Sequence, residues 1–198
     1  MDRAQLQAIR RDFLAYANGF IARHGDAGLP GAENVRHLME LKREHCACVA
    51  RNARELAAAL GWPVPDANIA EAVGLLHDVG RFPQLAEYGT FRDADSIDHG
   101  ERGERAIRES GLLDGVRPGL RAALLCAVRH HNARALPADL PEEHGRWLWI
   151  VRDADRADIY RIVLDAAESD RLDDHPEIGL GLAREGDPCP ELARRIMQ

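Results

Sequence analysis

Apolar residues recur along this chain at the three- and four-residue spacing of an amphipathic α-helix, and no stretch alternates with the two-residue period of a strand. The pattern predicts a first helix over residues 3–23 and a second over 34–60, each followed by a segment that contains glycine and proline. A third helix is predicted over 67–79, with Gly80 as a left-handed cap at its end.

The chain continues in helices after a long connection. Residues 81–98 read as mostly irregular, and such long connections are often functional. Asp98, followed by Glu101, predicts an N-terminal cap for a helix that begins at His99. The prediction is therefore an all-α helical bundle in one domain, completed by helices over 118–131 and 141–167 and a mostly loop-like tail over 168–198.

Composition narrows the class of protein. The chain has 198 residues, 45% of them hydrophobic and 30% charged, as in an ordinary globular protein. Its net charge of −7 argues against general nucleic-acid binding. No apolar run is long enough for a membrane span, and the charged N-terminus is unlike a signal peptide. Four cysteines without paired spacing predict a reducing compartment, and hence a cytoplasmic protein.

Histidines and aspartates fall where predicted helices end or face the core. A buried polar group costs a few kcal/mol unless it finds a partner, and several such groups can share a cation. Asp155 lies on an inward stripe with Trp147 and Val151, so helix phase favours it over Asp153. Imidazole with carboxylate suits Fe, Mn, Zn or Co. The candidate ligands are His45, His77, Asp78, His99, His130, His131 and Asp155.

The order of these residues resembles a known family. His45, the doublet in "EAVGLLHDVGRF" and the late aspartate in "VRDADRAD" resemble the HD-domain metal-dependent phosphohydrolase superfamily. The resemblance covers residues 33–165 and implies one HD domain over 1–198, with the 3–23 helix and the 168–198 tail attached. It implies that one metal is held by His45, His77, Asp78 and Asp155.

Additional histidines are similar to those of family members that hold two metals. "DHGERGERAI" contains His99, and "VRHHN" contains His130 and His131. The resemblance implies a second ion on these three residues, with Asp78 bridging the two ions. The cofactor is then one or two divalent transition metals, Fe or Mn first and Zn, Ni, Co or Mg as alternatives. No Gly-Tyr-Pro follows the paired histidines, so cyclic di-GMP hydrolysis is not supported.

The segment "RFPQLAEYGTF" is similar to one in a set of bacterial HD proteins. Arg81 is a candidate for holding a phosphate, and Tyr88 and Phe91 are candidates for stacking on a base. The alternatives are a structural salt bridge for Arg81 and a packing role for the two aromatic rings. The catalytic candidates are Asp78 and an outer group for proton transfer, either Asp158 or Asp98.

The expected function is hydrolysis of a phosphomonoester or phosphodiester by a metal-activated water. The expected partner is a small phosphorylated substrate, with a nucleotide as the leading candidate because members of the family commonly act on nucleotides. A homodimer completed at the final helix is a further hypothesis. Two alternatives stay open: an HD-type di-iron oxygenase and a non-catalytic ligand-sensing module. "HPEIG" at His175 imitates a family motif but follows Asp155 out of order, so a surface loop is expected there.

Overall fold

The computed structural model describes residues 1–25 and 31–168. The described residues contain α-helices and no strand, which confirms the predicted all-α class. None of these helices combines the length and the apolarity that a bilayer span requires. The chain divides into two units, Met1–Asp158 and Ile159–Gln198, and every predicted metal ligand lies in the first. The helices are α1 (Arg3–Gly25), α2 (Ala32–Ala59), α3 (Val64–Leu76), α4 (Arg81–Tyr88), α5 (His99–Ser110), α6 (Pro118–His130) and α7 (Glu142–Glu168), with a 3₁₀ turn at Asp93–Asp95.

Helices α1 and α2 follow the predicted periodicity closely. The stripe of α1 is buried at Leu6, Ile9, Phe13 and Ala17, and the Phe13 ring packs edge-on against Phe82 at 6.2 Å. In α2 the prediction that His45 faces inward is confirmed. Leu41, one turn before His45, is exposed, because the buried face of this turn passes through Met39.

Helix α3 is the most deeply buried helix of the unit Met1–Asp158. Its residues from Ala67 to Leu76 are all buried, as expected for a helix covered on every side. Gly74 allows α2 to pass close by, because a Cβ at this position would lie 2.8 Å from the carbonyl oxygen of Val49. The helix therefore delivers the doublet that follows it to the interior of the bundle.

Gly80 does not adopt the left-handed backbone conformation that was predicted for it. Gly80 has φ −68° and ψ −19°, which is right-handed, and α3 already ends at Leu76. A glycine is needed here for close approach, since a Cβ would clash with the His99 carbonyl oxygen and lie 2.5 Å from the Gly103 nitrogen. Gly80 thus lets the turn after α3 contact the first turn of α5.

The connection over 81–98 is more ordered than predicted. Its first half forms α4, whose Phe82 and Leu85 are buried, and the helix ends at Gly89 with φ +70°. Eight residues make only about two helical turns, which is too short for an apolar periodicity to identify the helix. The predicted cap is confirmed: the Asp98 carboxylate accepts a hydrogen bond from the Glu101 amide at 2.9 Å.

Helix α7 is fixed to its neighbours by two groups of contacts. Trp62 and Trp147 pack edge to face at 5.7 Å, with the Arg146 guanidinium 4.2 Å and 4.6 Å from their ring centroids. One guanidinium nitrogen of Arg152 donates to the carbonyl oxygens of His131 at 2.9 Å and Ala133 at 2.7 Å. These contacts place the Asp155 turn of α7 beside the end of α6.

The predictions for the break around residues 26–30, the tail from residue 169 and the loop at His175 lie outside the described residues. The prediction of a single domain over 1–198 stays a prediction.

Candidate metal centre

Two of the candidate histidines lie at helix C-termini. His77 follows the last residue of α3, and His131 follows the last residue of α6. Carbonyl groups in a last helical turn have no partner within the helix. The His77 Nδ1 is 2.7 Å from the Gly74 carbonyl oxygen, and the His131 Nδ1 is 2.7 Å from that of Val128. A carbonyl only accepts, so each Nδ1 carries the hydrogen and each Nε2 keeps its lone pair.

The other two histidines are oriented by carboxylates. The His45 Nδ1 on α2 lies 2.7 Å from Asp158 Oδ2. The His99 Nδ1 at the start of α5 lies 2.6 Å from Asp93 Oδ2. An ionised carboxylate accepts hydrogen bonds, so these two Nδ1 atoms also carry hydrogen. A carboxylate or carbonyl behind the imidazole is the usual arrangement around a ligating histidine.

The four Nε2 atoms meet in pairs. The His45 and His77 Nε2 atoms are 3.3 Å apart, and those of His99 and His131 are 3.1 Å apart. In the neutral tautomers fixed by the Nδ1 partners, both members of each pair offer a lone pair and neither offers a hydrogen. Such facing lone pairs favour a cation between them.

Asp78 lies between the two histidine pairs and turns one oxygen toward each. Its Oδ2 is 3.7 Å from the His45 Nε2 and 3.6 Å from the His77 Nε2. Its Oδ1 is 3.5 Å from the Nε2 atoms of both His99 and His131. The Asp78 side chain is 5% exposed, so these oxygens are buried in the cluster.

Asp155 closes the cluster on the side of the first pair. Its Oδ1 lies 3.1 Å from the His45 Nε2 and 3.6 Å from the His77 Nε2. The neighbouring candidate Asp153 is 62% exposed and pairs with Arg156 at 3.5 Å, so it faces away. The helix phase that favoured Asp155 agrees with this placement.

The spacing of the ligand atoms fits divalent transition metals. Bonds of about 2.0–2.2 Å place neighbouring ligand atoms about 2.8–3.6 Å apart around an octahedral or tetrahedral ion. The contacting pairs of Nε2 nitrogens and carboxylate oxygens given above are 3.1 Å to 3.7 Å apart. Among the described residues, three groups have all their ligand atoms within 4.8 Å of one another: His45, His77 and Asp78; His77, His131 and Asp155; Asp78, His99 and His131.

The electrostatics of the metal-free site keep both carboxylates ionised. Burial opposes ionisation of Asp78, but Lys42 and His77 outweigh it and hold the pKa of Asp78 well below its usual range. Burial likewise opposes ionisation of Asp155, but the neighbouring His45 and His77 imidazoles outweigh it and hold the pKa of Asp155 well below its usual range. The site is therefore prepared to receive positive charge.

The two carboxylate-backed histidines respond differently to this environment. Burial and Lys42 oppose protonation of His45, but hydrogen bonds to Asp155 and Asp158 outweigh them and raise its pKa. For His99 burial prevails over the hydrogen bond to Asp93 and lowers the pKa.

Two cations border the cluster. The Lys42 ammonium lies 2.9 Å from Asp78 Oδ2, and the Arg81 Nε lies 3.6 Å from Asp78 Oδ1. The Phe91 ring lies beside both, 5.7 Å from the Lys42 Nζ and 5.7 Å from the Arg81 guanidinium carbon. The Arg81 Nε makes no hydrogen bond, although its atom is buried.

Sequence reasoning missed Lys42 and Asp93. Lys42 is the only lysine of the chain and lies one turn before His45 on the same helix, which was the available signal. No sequence pattern pointed to Asp93, because its contact with His99 depends on the path of the connection between α4 and α5.

Some predicted residues lie outside the cluster. The His130 ring is half-buried and belongs to none of the three groups of ligand atoms. Tyr88, at the end of α4, is 49% exposed. Asp158 is buried behind His45, and Asp98 caps α5 and accepts from the Asn132 amide at 3.1 Å. Burial and the Arg129 charge lower the pKa of His130.

Within the described residues, the helical bundle brings four imidazoles and two carboxylates into one cluster that could hold a metal ion. A family model for the HD domain matches residues 43–180, and the chain belongs to this family. Most members of the HD-domain superfamily are metal-dependent hydrolases, as the resemblance implied. A search of curated proteins and a search of solved structures gave no match.

Proposed function

We propose that the protein hydrolyses a phosphomonoester or phosphodiester of a nucleotide-like substrate at a dinuclear metal centre. The observation that carries the proposal is the position of Asp78, whose two oxygens face two different pairs of Nε2 atoms. A single ion needs only one such pair. A carboxylate between two pairs is the arrangement expected of a bridging ligand.

The cluster divides into two half-sites that share Asp78. The first half-site consists of His45, His77, Asp155 and Asp78 Oδ2. The second half-site consists of His99, His131 and Asp78 Oδ1. His130 is left out of the second half-site, because its ring is not grouped with the other ligand atoms. Fe or Mn is the preferred metal for this mixed nitrogen and oxygen set.

Two divalent ions held there supply Lewis acidity and an activated water, which is the chemistry that phosphoester hydrolysis needs. The protein's own contribution is to orient the ligands and to place positive charge at the rim. The tautomer of all four histidines is fixed by acceptors at 2.6–2.7 Å, so little reorganisation is needed to bind metal.

Lys42 and Arg81 favour an anionic substrate. Both side chains lie within 4 Å of Asp78, so a phosphate held over the cluster is in reach of an ammonium and a guanidinium. Phe91 lies beside both cations and is the better placed of the two aromatic candidates for contact with the substrate. Tyr88 is proposed only for the outer part of the substrate, since it is half exposed.

Asp158 supports His45 and is proposed as a positioning residue. Its side chain is 1% exposed and lies on the Nδ1 side of the imidazole, away from the converging Nε2 atoms. The earlier hypothesis that Asp158 transfers a proton to or from substrate is therefore replaced by a role through His45. Asp98 has its carboxylate engaged with Glu101 and Asn132.

The test is phosphate release from a panel of nucleotides, cyclic nucleotides and a chromogenic phosphodiester, with Mn or Fe added. We expect turnover that depends on metal and is lost in Asp78→Ala. The control is Asp153→Ala, which removes an exposed carboxylate two residues before Asp155 and should leave turnover unchanged. Two bound ions with no phosphate release, together with dioxygen consumption, would instead support the oxygenase.

A further inference from the structure

The two half-sites differ in what holds their carboxylate-backed histidine. In the first half-site, His45 is held by Asp158, which is 1% exposed and belongs to the long helix α7. In the second half-site, His99 is held by Asp93, which is 31% exposed and lies in a 3₁₀ turn between α4 and α5. The histidine of the second half-site is thus held by a residue of the connection between α4 and α5, which contains no α-helix and is here named segment 89–98.

Asp93 connects this segment to the metal ligands with both of its oxygens. Its Oδ2 is 2.6 Å from the His99 Nδ1. Its Oδ1 accepts a hydrogen bond from Arg81 at 2.9 Å and another from the Gln84 amide, also at 2.9 Å. The same carboxylate thus contacts a metal ligand, a rim cation and the buried amide of α4.

The remaining contacts show how segment 89–98 is docked. The Gln84 amide also donates to the Ser96 hydroxyl at 2.8 Å and to the Ile97 carbonyl oxygen at 3.0 Å. Arg81 donates to the Phe91 carbonyl oxygen at 2.5 Å. Gln84 is fully buried, so its amide can donate only to groups of the docked segment. Removing the Asp93 carboxylate takes one acceptor from this network and leaves the His99 Nδ1–H without its acceptor.

We propose that Asp93 is a positioning residue that links docking of segment 89–98 to metal binding in the second half-site. The inference rests on the proposed dinuclear function. It adds that the second ion is held only while the segment is docked. By reciprocity, an ion in the second half-site stabilises the docked segment by the same free energy that docking adds to ion binding.

Metal counting on three chains tests the inference. Wild type, Asp93→Ala and Asp95→Ala are titrated with Mn against a competing chelator, and bound metal is counted by elemental analysis. Loss of an outer partner of a ligating histidine typically weakens metal binding by about 10–100-fold. We expect this loss for the second ion in Asp93→Ala and no change for the first. Asp95 is the matched control, because it lies in the same turn, is half exposed and pairs with Arg92.

Hydrogen exchange supplies a readout that is independent of activity. In wild type, metal loading should slow amide exchange in segment 89–98. In Asp93→Ala the segment should exchange fast with or without metal, while α3 keeps its protection and shows that the chain is folded. Asp93→Glu, which restores a carboxylate, should recover part of the affinity for the second ion.

The outcomes separate the two proposals. Two ions of unchanged affinity in Asp93→Ala would overturn the role of Asp93 and leave the dinuclear function standing. Equal loss of both ions would also overturn it, since Asp93 would then not be specific to one half-site. A wild-type chain that binds a single ion at saturating Mn would contradict the dinuclear function itself.

Discussion

The ammonium of Lys42 lies 2.9 Å from Asp78 Oδ2, so the only lysine of the chain pairs with the carboxylate at the centre of the cluster. This side chain is 26% exposed, and its charge therefore lies between the buried ligands and the solvent. Under the proposed function, a substrate phosphate held at the cluster would be within reach of this charge.

Replacing Lys42 should weaken catalysis on anionic substrates. Lys42→Met keeps the apolar stem and removes the charge. A hydrogen bond to a charged group contributes about 1.5–3 kcal/mol, which corresponds to about 10–150-fold in kcat/KM. Steady-state kinetics with the best phosphoester of the panel measures this loss. Arg43→Met is the control, since Arg43 contacts Asn18 away from the cluster; equal kinetics for all three chains would remove Lys42 from the site.

Asp158→Asn should weaken metal binding in the first half-site. The variant keeps the shape of the side chain but removes the negative charge behind His45, and such losses cost about 10–100-fold in metal affinity. Competition with a chelator measures the affinity. Activity should return when metal is raised to saturation. A fully loaded variant that stays inactive would show that Asp158 acts on the reaction rather than through His45.

Gly80→Ala should destabilise the fold. The new methyl group would clash with the carbonyl oxygen of His99 and press on Gly103, both of them backbone that cannot turn aside. Overpacking of this kind costs about 1–3 kcal/mol in the free energy of unfolding. Urea denaturation followed by circular dichroism measures it. Gly119→Ala, where nothing lies within 4 Å of the added carbon, should be neutral or slightly stabilising, and equal losses in both variants would refute the packing argument.

The stability of the metal-free protein should depend on Asp93 in a defined range of pH. Burial opposes ionisation of Asp93, but the hydrogen bond from His99 outweighs it and lowers the pKa below the usual value of 3.8. A lowered folded-state pKa adds stability that is complete above the usual value and is lost as the pH falls toward the folded-state value.

The comparison for this prediction is between wild type and Asp93→Asn, both freed of metal by chelation. Urea midpoints should differ at pH 7 and pH 5, and the difference should shrink as the pH falls below 3.8. A difference that stays constant down to pH 2 would mean that the carboxylate charge is not the cause.

The fold was largely predictable from periodicity, because most helices bury a regular stripe. The ends of α1 and α6 lie within two residues of the predicted ends. Helix α4 was missed, because eight residues carry too little periodic signal and its burial depends on contacts with α1 and α2. Gly80 was misread for a similar reason, since its role lies in an approach to α5 that no local pattern records.

Most residues of the cluster could be predicted from the sequence, whereas two of the residues that contact them could not. The order of His45, the doublet and Asp155 is a sequence property, and these side chains do lie together. The sequence does not distinguish His130 from His131 as a ligand. In the structure the end of α6 turns only the His131 ring toward Asp78, with its Nε2 3.5 Å from Asp78 Oδ1. The contacts of Asp93 with His99 and of Lys42 with Asp78 form only in the folded chain.

The most direct test of the dinuclear centre is anomalous diffraction from crystals grown with Mn. We predict two peaks about 3.5–4 Å apart, as in other two-metal sites. Asp78 should contact both, with His45, His77 and Asp155 on one and His99 and His131 on the other. A single peak, or two peaks that do not share Asp78, would contradict the account.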